Sequence, residues 1–226
     1  AFPASIVGEM TDFKISKNFD KESKRFNRGG KISPFKNSGF MVNGRIFTVK
    51  TKAVYSAQPM TLGSILESNK PPEIPTDLKE FYINEEDRIN MPPKIQIDGT
   101  EKRLDTVWDK WKYLKGSKSE IKTNKNQGYS YKYGEGRMAF PDPLDKPSRT
   151  IITGEGGSGA SRFKHVVKEG SKHRRLTPIE LERLNMFPDN HTAHLEATNA
   201  KRAFFMGNAL VVGVVEKIGA SLAKQA

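Results

Sequence analysis

The strongest constraint on the fold is a helix start near the end of the chain, in residues 176–181 (LTPIEL). Thr177 is placed to cap the helix, and Pro178 suits its first position. Glu180 stands three residues after the cap and can close a capping box with it. This segment therefore predicts a helix with a fixed first residue. The two cations just before it, Arg174 and Arg175, are expected to be exposed.

A second block follows in residues 206–215 (MGNALVVGVV). Asn208 is a residue type that often caps helices, so the block predicts that the last helix starts around residues 207–209. Apolar side chains recur along this helix at helical spacing, and together they form a stripe wide enough to pack against another body. The residues of this stripe are Val211, Val214, Val215, Ile218 and Leu222.

The blocks at residues 174–189 and 206–215 resemble, in this order, motifs IX and X of the DNA (cytosine-5) methyltransferases. The resemblance implies that the first block organises a DNA-recognition domain. It also implies that the last helix docks on a catalytic domain and that Asn208, Ala209 and Leu210 form one wall of an S-adenosylmethionine pocket.

Other motifs of that family are missing. The chain has no cysteine, although the family attacks cytosine with a cysteine thiolate, and it lacks the Phe-x-Gly-x-Gly cofactor loop. The resemblance therefore implies the target-recognition component of a bacterial restriction-modification methyltransferase. Such a component would be the small subunit of a split enzyme or a C-terminal fragment. It would be inactive without a catalytic partner, whose S-adenosylmethionine pocket it would complete.

The expected fold class is α+β. A small, mainly β target-recognition domain over 71–170 would be followed by C-terminal helices over 171–226. These helices would belong with a Rossmann-like catalytic domain supplied by a partner or a missing segment. Residues 1–70 would end the catalytic-domain region, with a β-hairpin at 40–49 turning at Asn43-Gly44. Pro71, Pro72 and Pro75 indicate the first boundary.

Within the middle region, apolar spacing from Leu104 to Leu114 predicts a helix whose Trp108 and Trp111 face a core. Residues 150–153 are β-branched and predict a short strand, and residues 160–167 alternate as a second strand would. Residues 154–159 match G-x-G-x-x-G, but no helix pattern follows them. The segment therefore lacks the helix N-terminus that a dinucleotide site needs.

The net charge of +12 and the pI near 9.7 indicate a polyanionic partner. Duplex DNA is the expected ligand, with five cations neutralising phosphates and a close approach by the glycine-rich loop. The lysine- and tyrosine-rich residues 115–137 favour either a loop on DNA or a solvated hairpin. The candidate DNA-binding residues are Tyr133, Arg137, Ser148, Arg149, Thr150, Gly156, Gly157, Ser158, Arg162, Lys164, Arg174 and Arg175.

The alternative from sequence alone is a stand-alone basic DNA- or RNA-binding module without an enzymatic role. An independent nucleotide-dependent enzyme would need the glycine-rich loop as a dinucleotide site, which is rejected because no helix pattern follows the glycines. The histidines show no metal-like arrangement. No apolar run approaches the ~18 residues that a membrane span requires, so a cytoplasmic, nucleoid-associated bacterial protein is expected.

Overall fold

The structure is a computed structural model that describes residues 4–24, 33–54, 58–73, 76–97, 100–124, 126 and 128–224. Pro75, one of the expected boundary residues, lies outside these ranges. The chain divides into two compact units, residues 1–58 with 216–226 and residues 59–215. These differ from the three regions expected from the sequence, and the functional assignment of those regions stays a prediction.

The first unit is built mainly from short antiparallel strands. Strands β1 (Ala4–Ile6) and β5 (Thr51–Ala53) pair with each other. Strand β4 (Arg45–Val49) lies between β2 (Thr11–Lys14) and β3 (Ser38–Val42). A short helix, α1 (Phe19–Ser23), follows β2.

The hairpin expected at residues 40–49 is confirmed in this unit. Asn43 and Gly44 have φ angles of 47° and 74°, as a tight turn between β3 and β4 requires. Phe40 and Phe47 stack across the two strands with ring centroids 5.0 Å apart. Phe40 and its neighbour Met41 nevertheless remain 56% and 60% exposed.

The second unit alternates hairpins and helices. Its elements are 3₁₀ turns at Gly63–Ile65 and Leu78–Phe81, strands β6 (Lys94–Ile97) and β7 (Thr100–Arg103), helix α2 (Val107–Lys115), strands β8 (Lys118–Thr123) and β9 (Ser130–Glu135), strands β10 (Val166–Glu169) and β11 (Lys172–Arg175), and helices α3 (Pro178–Leu184), α4 (Asn199–Asn208) and α5 (Val212–Ala223). The boundary between the two units falls within α5. Each strand pair is an antiparallel hairpin, so the α+β class is confirmed.

The core of the second unit forms where α3 and α4 meet the segment around Gly63–Ile65. Its buried residues are Leu62, Ile65, Leu66, Ile151, Val167, Leu176, Leu181, Ala203 and Met206. The expected helix in the middle region is confirmed as α2, which Thr106 caps. Trp111 is fully buried, and Trp108 packs with its ring centroid 4.8 Å from that of Phe140.

Two secondary-structure predictions are wrong. Residues 150–153 and 160–165 form no strand, and of the second segment only Val166 and Val167 pair, as the start of β10, with β11. Asn208 does not begin the last helix. It is the final residue of α4, whose cap is Thr198, and the chain is extended at Ala209 before α5 begins.

The sequence-based expectation that no apolar stretch reaches the length of a membrane span does not hold for the helical region Asn199–Ala223. By length and composition alone this region could cross a membrane. Its most apolar stretch has a mean hydropathy of 1.4, and only 17% of that stretch is buried. The extended backbone at Ala209 divides the region into α4 and α5, and a single stretch of this kind is weak evidence for a span.

Candidate DNA and cofactor site

Helix α3 begins as its sequence predicts. The Thr177 hydroxyl accepts a hydrogen bond from the Glu180 amide at 3.2 Å, and the Glu180 carboxylate accepts one from the Thr177 amide at 2.9 Å. This capping box satisfies two backbone donors that a helix N-terminus leaves free. The start of α3 is therefore fixed by its own sequence.

The arginine before this cap is buried rather than exposed. Arg174 has no exposed surface and forms two parallel 2.8 Å hydrogen bonds to the Glu180 carboxylate. Its Nε donates to Glu169 at 2.7 Å. Burial opposes the charged form, yet hydrogen bonds and charge attraction from Glu180 and Glu169 raise the pKa of Arg174 further above its usual value. The bond from Arg174 lowers the pKa of Glu169.

The remaining charges of α3 are buried and paired in the same way. Arg183 forms bonds of 2.7 and 2.6 Å to Asp189 and a 3.0 Å bond to the carbonyl of Ile65. The bond from Arg183 lowers the pKa of Asp189. Glu182 accepts a 2.9 Å bond from Arg202 of α4. Helix α3 thus joins the turn at residues 63–65, strand β11 and helix α4 through hydrogen-bonded charges.

Three more of the cations expected to contact phosphate are occupied inside the fold. Arg149 forms bonds of 2.8 and 3.1 Å to Asp142. Arg162 donates to the carbonyls of Leu114 and Gly116 at 2.9 and 3.0 Å. Lys164 is buried and holds the glycine-rich loop, with its Nζ 2.9 Å from the carbonyl of Gly157. Burial lowers the pKa of Lys164.

Arg175 is also buried, and it donates to the carbonyls of Gly157 and Glu80. The expectation that Arg174 and Arg175 are exposed is therefore wrong. All five cations expected to neutralise phosphate form hydrogen bonds within the fold, and their contact with DNA stays a prediction. The carbonyl acceptors of Arg162 and the Glu80 carbonyl bound by Arg175 are far away along the chain, so the sequence could not show these contacts.

The glycine-rich loop packs against helix α4. A Cβ at Gly156 would lie 2.8 Å from the Cα and the carbonyl oxygen of Ala200, so only glycine fits there. A Cβ at Gly207, in α4, would overlap the backbone of Ile152 and Thr153. The close approach that the glycines allow at these positions is thus to the protein's own backbone, while Gly157 and Ser158 remain exposed.

A buried histidine holds the segment that leads into this loop. His165 is fully buried, with Nε2 3.0 Å from the Ser148 hydroxyl and Nδ1 3.0 Å from Glu155. The Ser148 hydroxyl also donates to the carbonyl of Arg149 at 2.9 Å. These bonds position the backbone on both sides of Thr150, whose side chain remains exposed.

A cleft of about 360 Å³ lies where this segment meets the ends of α3 and α4. It is lined by Met60, Pro147, Ser148, Arg149, Thr150, Ile151, Leu184, Asn185, Met206, Gly207, Ala209 and Val211. Predicted DNA-binding residues and a predicted cofactor-binding residue, Ala209, therefore share one cleft.

The sequence missed Asn185 in this cleft. Asn185 ends α3, and its side-chain amide donates to the carbonyl of Met206 at 2.8 Å. The backbone carbonyl of Asn185 accepts a hydrogen bond from the Val212 amide at 2.9 Å, at the start of α5. One buried residue thus links the ends of three helices, through its side chain and its backbone carbonyl. Its place in the segment LNMFPD, directly after the helix pattern, was the only available signal.

Comparison with known proteins identifies the family. The model of the C-5 cytosine-specific DNA methylase family matches residues 14–224. The chain belongs to this family. It is 38% identical over 190 residues to the Type II methyltransferase M.Sau3AI of Staphylococcus aureus, and this match covers 84% of the chain and 38% of that protein. The chain therefore spans little more than a third of that relative's length. No solved structure shows significant similarity to it.

The methylase family uses S-adenosylmethionine, so residues 208–210 can be tested for their fit to this group. Asn208 is exposed, and its amide nitrogen donates to the carbonyl of Phe204 at 2.9 Å. Leu210 is 73% exposed, and Ala209 lines the cleft. A polar amide beside an exposed aliphatic residue fits one wall of such a pocket. Residues 208–210 include no carboxylate to hold the ribose hydroxyls, so they do not form a complete pocket.

The stretch over residues 115–137 is a hairpin, formed by β8 and β9. Lys118 and Arg162 both pair with Glu135 at its base, at 3.2 and 3.1 Å. Tyr133 is half-buried and donates a 2.5 Å bond to Glu135, which lowers the pKa of that carboxyl. Arg137, just beyond the hairpin, is exposed. Of the candidate DNA-binding residues, Arg137, Thr150, Gly157 and Ser158 therefore face solvent.

Proposed function

We propose that this chain is the DNA target-recognition component of a bacterial cytosine-5 DNA methyltransferase. In this role it binds a specific duplex site and completes the S-adenosylmethionine pocket of a catalytic partner. The partner is either a separate subunit or another segment of the same polypeptide. The uncovered apolar surface of α4, α5 and the turn between them carries the proposal.

This surface exposes several apolar side chains that are neighbours along the chain. The side chains of Phe204, Phe205, Leu210, Val214 and Val215 are between 38% and 73% exposed. Adjacent exposed apolar residues of this kind mark interaction surfaces, since burying them stabilises a complex by about 25 cal/mol per Å². The surface adjoins Asn208 and Ala209, so the body that covers it would also meet the proposed cofactor wall.

The chemistry of methyl transfer requires groups that this chain lacks. The chain has no cysteine and therefore no thiolate to add to the cytosine ring. When bound, S-adenosylmethionine supplies the methyl group. Asn208 and Leu210 would hold one side of this cofactor and exclude water there. By this division of labour, the chain alone transfers no methyl group.

The residues proposed for DNA contact are those that the fold leaves accessible. Arg137 offers a cation, Thr150 and Ser158 offer hydroxyls, and Gly157 offers an exposed backbone. Ser148 and Tyr133 are proposed to position these groups. Phosphate contacts are proposed to come mainly from other cations, because Lys164, Arg174 and Arg175 are buried and bonded within the fold.

A reconstitution experiment tests the proposal. This chain and the catalytic part of the methyltransferase are purified separately and mixed, and transfer of a labelled methyl group to duplex DNA is followed. We expect no transfer by either part alone and clear transfer by the mixture at one short sequence. Methyl transfer by the isolated chain, or DNA binding without sequence preference and without any effect on the catalytic part, would contradict the proposal. The second result would favour the stand-alone DNA- or RNA-binding module instead.

The remaining expectations rest on the same proposal. A component of a bacterial restriction-modification system acts on chromosomal DNA, so we propose a cytoplasmic location close to the nucleoid. Separate subunits would form a heterodimer. No membrane contact is required, because the catalytic partner would cover the apolar part of the Asn199–Ala223 region.

A further inference from the structure

We infer that the hairpin formed by β8 and β9 enters the major groove of the DNA and reads bases with one face. The residues of this face, the reading face, are Ser119, Ile121, Thr123, Ser130 and Lys132. This inference rests on the proposed function and names the side chains that would set its sequence specificity.

The strand register divides the hairpin into two unlike faces. Opposite residues of an antiparallel pair share a face, and the face alternates along each strand. Lys118 lies opposite Glu135 and Lys122 opposite Tyr131, which places them on one face. Ile121 lies opposite Lys132 on the other face.

The first face is occupied within the protein. The Lys122 ammonium lies 3.5 Å from the centre of the Tyr133 ring, a cation–π contact. Lys118 and Arg162 hold Glu135 at the base. The carbonyls of Leu114 and Gly116 accept from Arg162 as well, so the hairpin is anchored to the end of α2. The hairpin is therefore fixed at its base.

No hydrogen bond, ion pair or ring contact joins the reading face to another element among the residues that the structure describes. Thr123 and Ser130 share one 2.9 Å hydrogen bond across the strands. Ile121 is 80% exposed, and Ser119 and Lys132 are also exposed. An isolated two-stranded hairpin is only marginally stable in water. Ile121 therefore buries little of its side chain within the fold and is available to contact a ligand.

Duplex DNA fits this face in shape and chemistry. The major groove is about 12 Å wide and admits a two-stranded ribbon. Its base edges offer acceptors to an ammonium such as that of Lys132, hydrogen-bonding partners to the hydroxyls, and a thymine methyl group to Ile121. Lysines outnumber acidic residues along the hairpin by four to two (residues 118–135). The hairpin therefore carries a net positive charge, which complements the charge of DNA.

The test compares two variants of the reading face with two matched controls. Ile121→Ala and Lys132→Gln are set against Leu195→Ala and Lys201→Gln, which change an exposed leucine and an exposed lysine elsewhere in the same unit. Each protein, combined with the catalytic part, selects duplexes from a randomised library. Dissociation constants are then measured at several salt concentrations. Thermal unfolding checks that the variants fold.

We expect both reading-face variants to lose preference at one or two positions of the selected sequence. Ile121→Ala removes three carbon atoms, and at about 0.8 kcal/mol for each carbon that the groove buries, binding should weaken about fourfold per buried carbon. Lys132→Gln should also lower the slope of log affinity against log salt by about 0.9 if its ammonium also neutralises a phosphate. The controls should select the sequence that the unchanged protein selects.

Selection of the unchanged sequence by both reading-face variants, with affinities within twofold, would overturn the inference. The proposed function would stand in that case, because the unchanged protein would still select a site. Weaker assembly with the catalytic part and unchanged base preference would also overturn it, since the hairpin would then be a protein contact. If the unchanged protein selects no sequence at all, the proposed function itself fails.

Discussion

Helices α3 and α5 invert the usual relation between hydropathy and burial. Four of the seven residues of α3 are Pro178, Glu180, Glu182 and Arg183, and all four are buried. Helix α5 carries the apolar residues Val212, Val214, Val215 and Leu222, and all four are exposed. The charged helix is inside and the apolar helix is outside.

The difference shows that the burial of a helix depends on the interaction partners that the fold offers its side chains. Every charge of α3 faces an opposite charge or a backbone acceptor within 3.0 Å, which offsets its loss of water. The apolar residues of α5 have no such cover in the described chain. We therefore read α3 as a finished part of the fold and α5 as half of an interface.

The largest effect should come from breaking the pair in front of α3. Arg174→Met leaves Glu180 and Glu169 without their cation, and removing one partner of a buried pair costs about 3–5 kcal/mol. Denaturant unfolding measures this loss. Arg45→Met is the control, because Arg45 and Asp12 form an exposed pair worth roughly 0–1 kcal/mol. A double variant, Arg174→Met with Glu180→Gln, should regain part of the loss; if it is no better than the single variant, the pairing account of α3 is wrong.

A buried cation without a carboxylate partner should make stability depend on pH. Among the residues that the structure describes, Lys115 donates to the carbonyl of Lys164 and pairs with no carboxylate, and burial lowers the pKa of Lys115 to about 8. Below pH 8 the lysine is charged in both the folded and the unfolded chain, so the folded state carries the full free-energy cost of burying that charge. As the pH rises from about 8 towards 10.5, the folded state loses its proton first, so stability increases by up to about 3 kcal/mol. Lys115→Met should lack this increase when unfolding is measured across that range, and parallel curves for both proteins would contradict the assignment.

An acidic residue on α5 should weaken assembly with the catalytic part. Val215 is 46% exposed, and Val215→Asp would force a carboxylate into the proposed interface. Losing the burial of one such side chain costs about 1–3 kcal/mol, or roughly ten- to hundredfold in the dissociation constant. Titration calorimetry gives that constant. Leu195→Asp, at a fully exposed leucine, should change neither assembly nor folding. Equal effects of the two variants would remove α5 from the interface.

The smallest expected effect concerns the cofactor wall. Asn208→Ala should weaken S-adenosylmethionine binding by the assembled enzyme up to about tenfold, as expected for one hydrogen bond, and leave DNA affinity unchanged. Equilibrium dialysis with labelled cofactor measures the first and fluorescence anisotropy the second. Asn90→Ala, at an exposed asparagine elsewhere, is the control. If Asn208→Ala loses DNA affinity and keeps the cofactor, Asn208 belongs to the DNA surface.

The features that sequence predicted correctly depend on neighbours close along the chain. Thr177 and Glu180 are three residues apart, and Asn43 and Gly44 are adjacent, so the helix start and the hairpin turn could be read directly. The family followed from the two C-terminal blocks.

The features that sequence missed depend on distant partners. Glu180 accepts from the amide of Glu67, which lies 113 residues away, and Arg175 from β11 reaches Glu80. Residues 150–153 have strand-like composition but pair with no strand, because the backbone beside them is occupied by Gly207 of α4. Asn208 resembled a helix cap because a local pattern cannot distinguish the end of one helix from the start of the next.

The two glycine contacts on α4 limit how recognition specificity could be exchanged between relatives. Gly156 abuts Ala200, and Gly207 abuts Ile152 and Thr153, so the segment over residues 150–156 is fitted to the helix along two turns. A chimera that transplants this segment without α4 would bring backbones into collision. The β8–β9 hairpin is joined to the rest of its unit chiefly at its base. It is therefore the segment that could be exchanged between relatives as a whole, by evolution or by protein engineering.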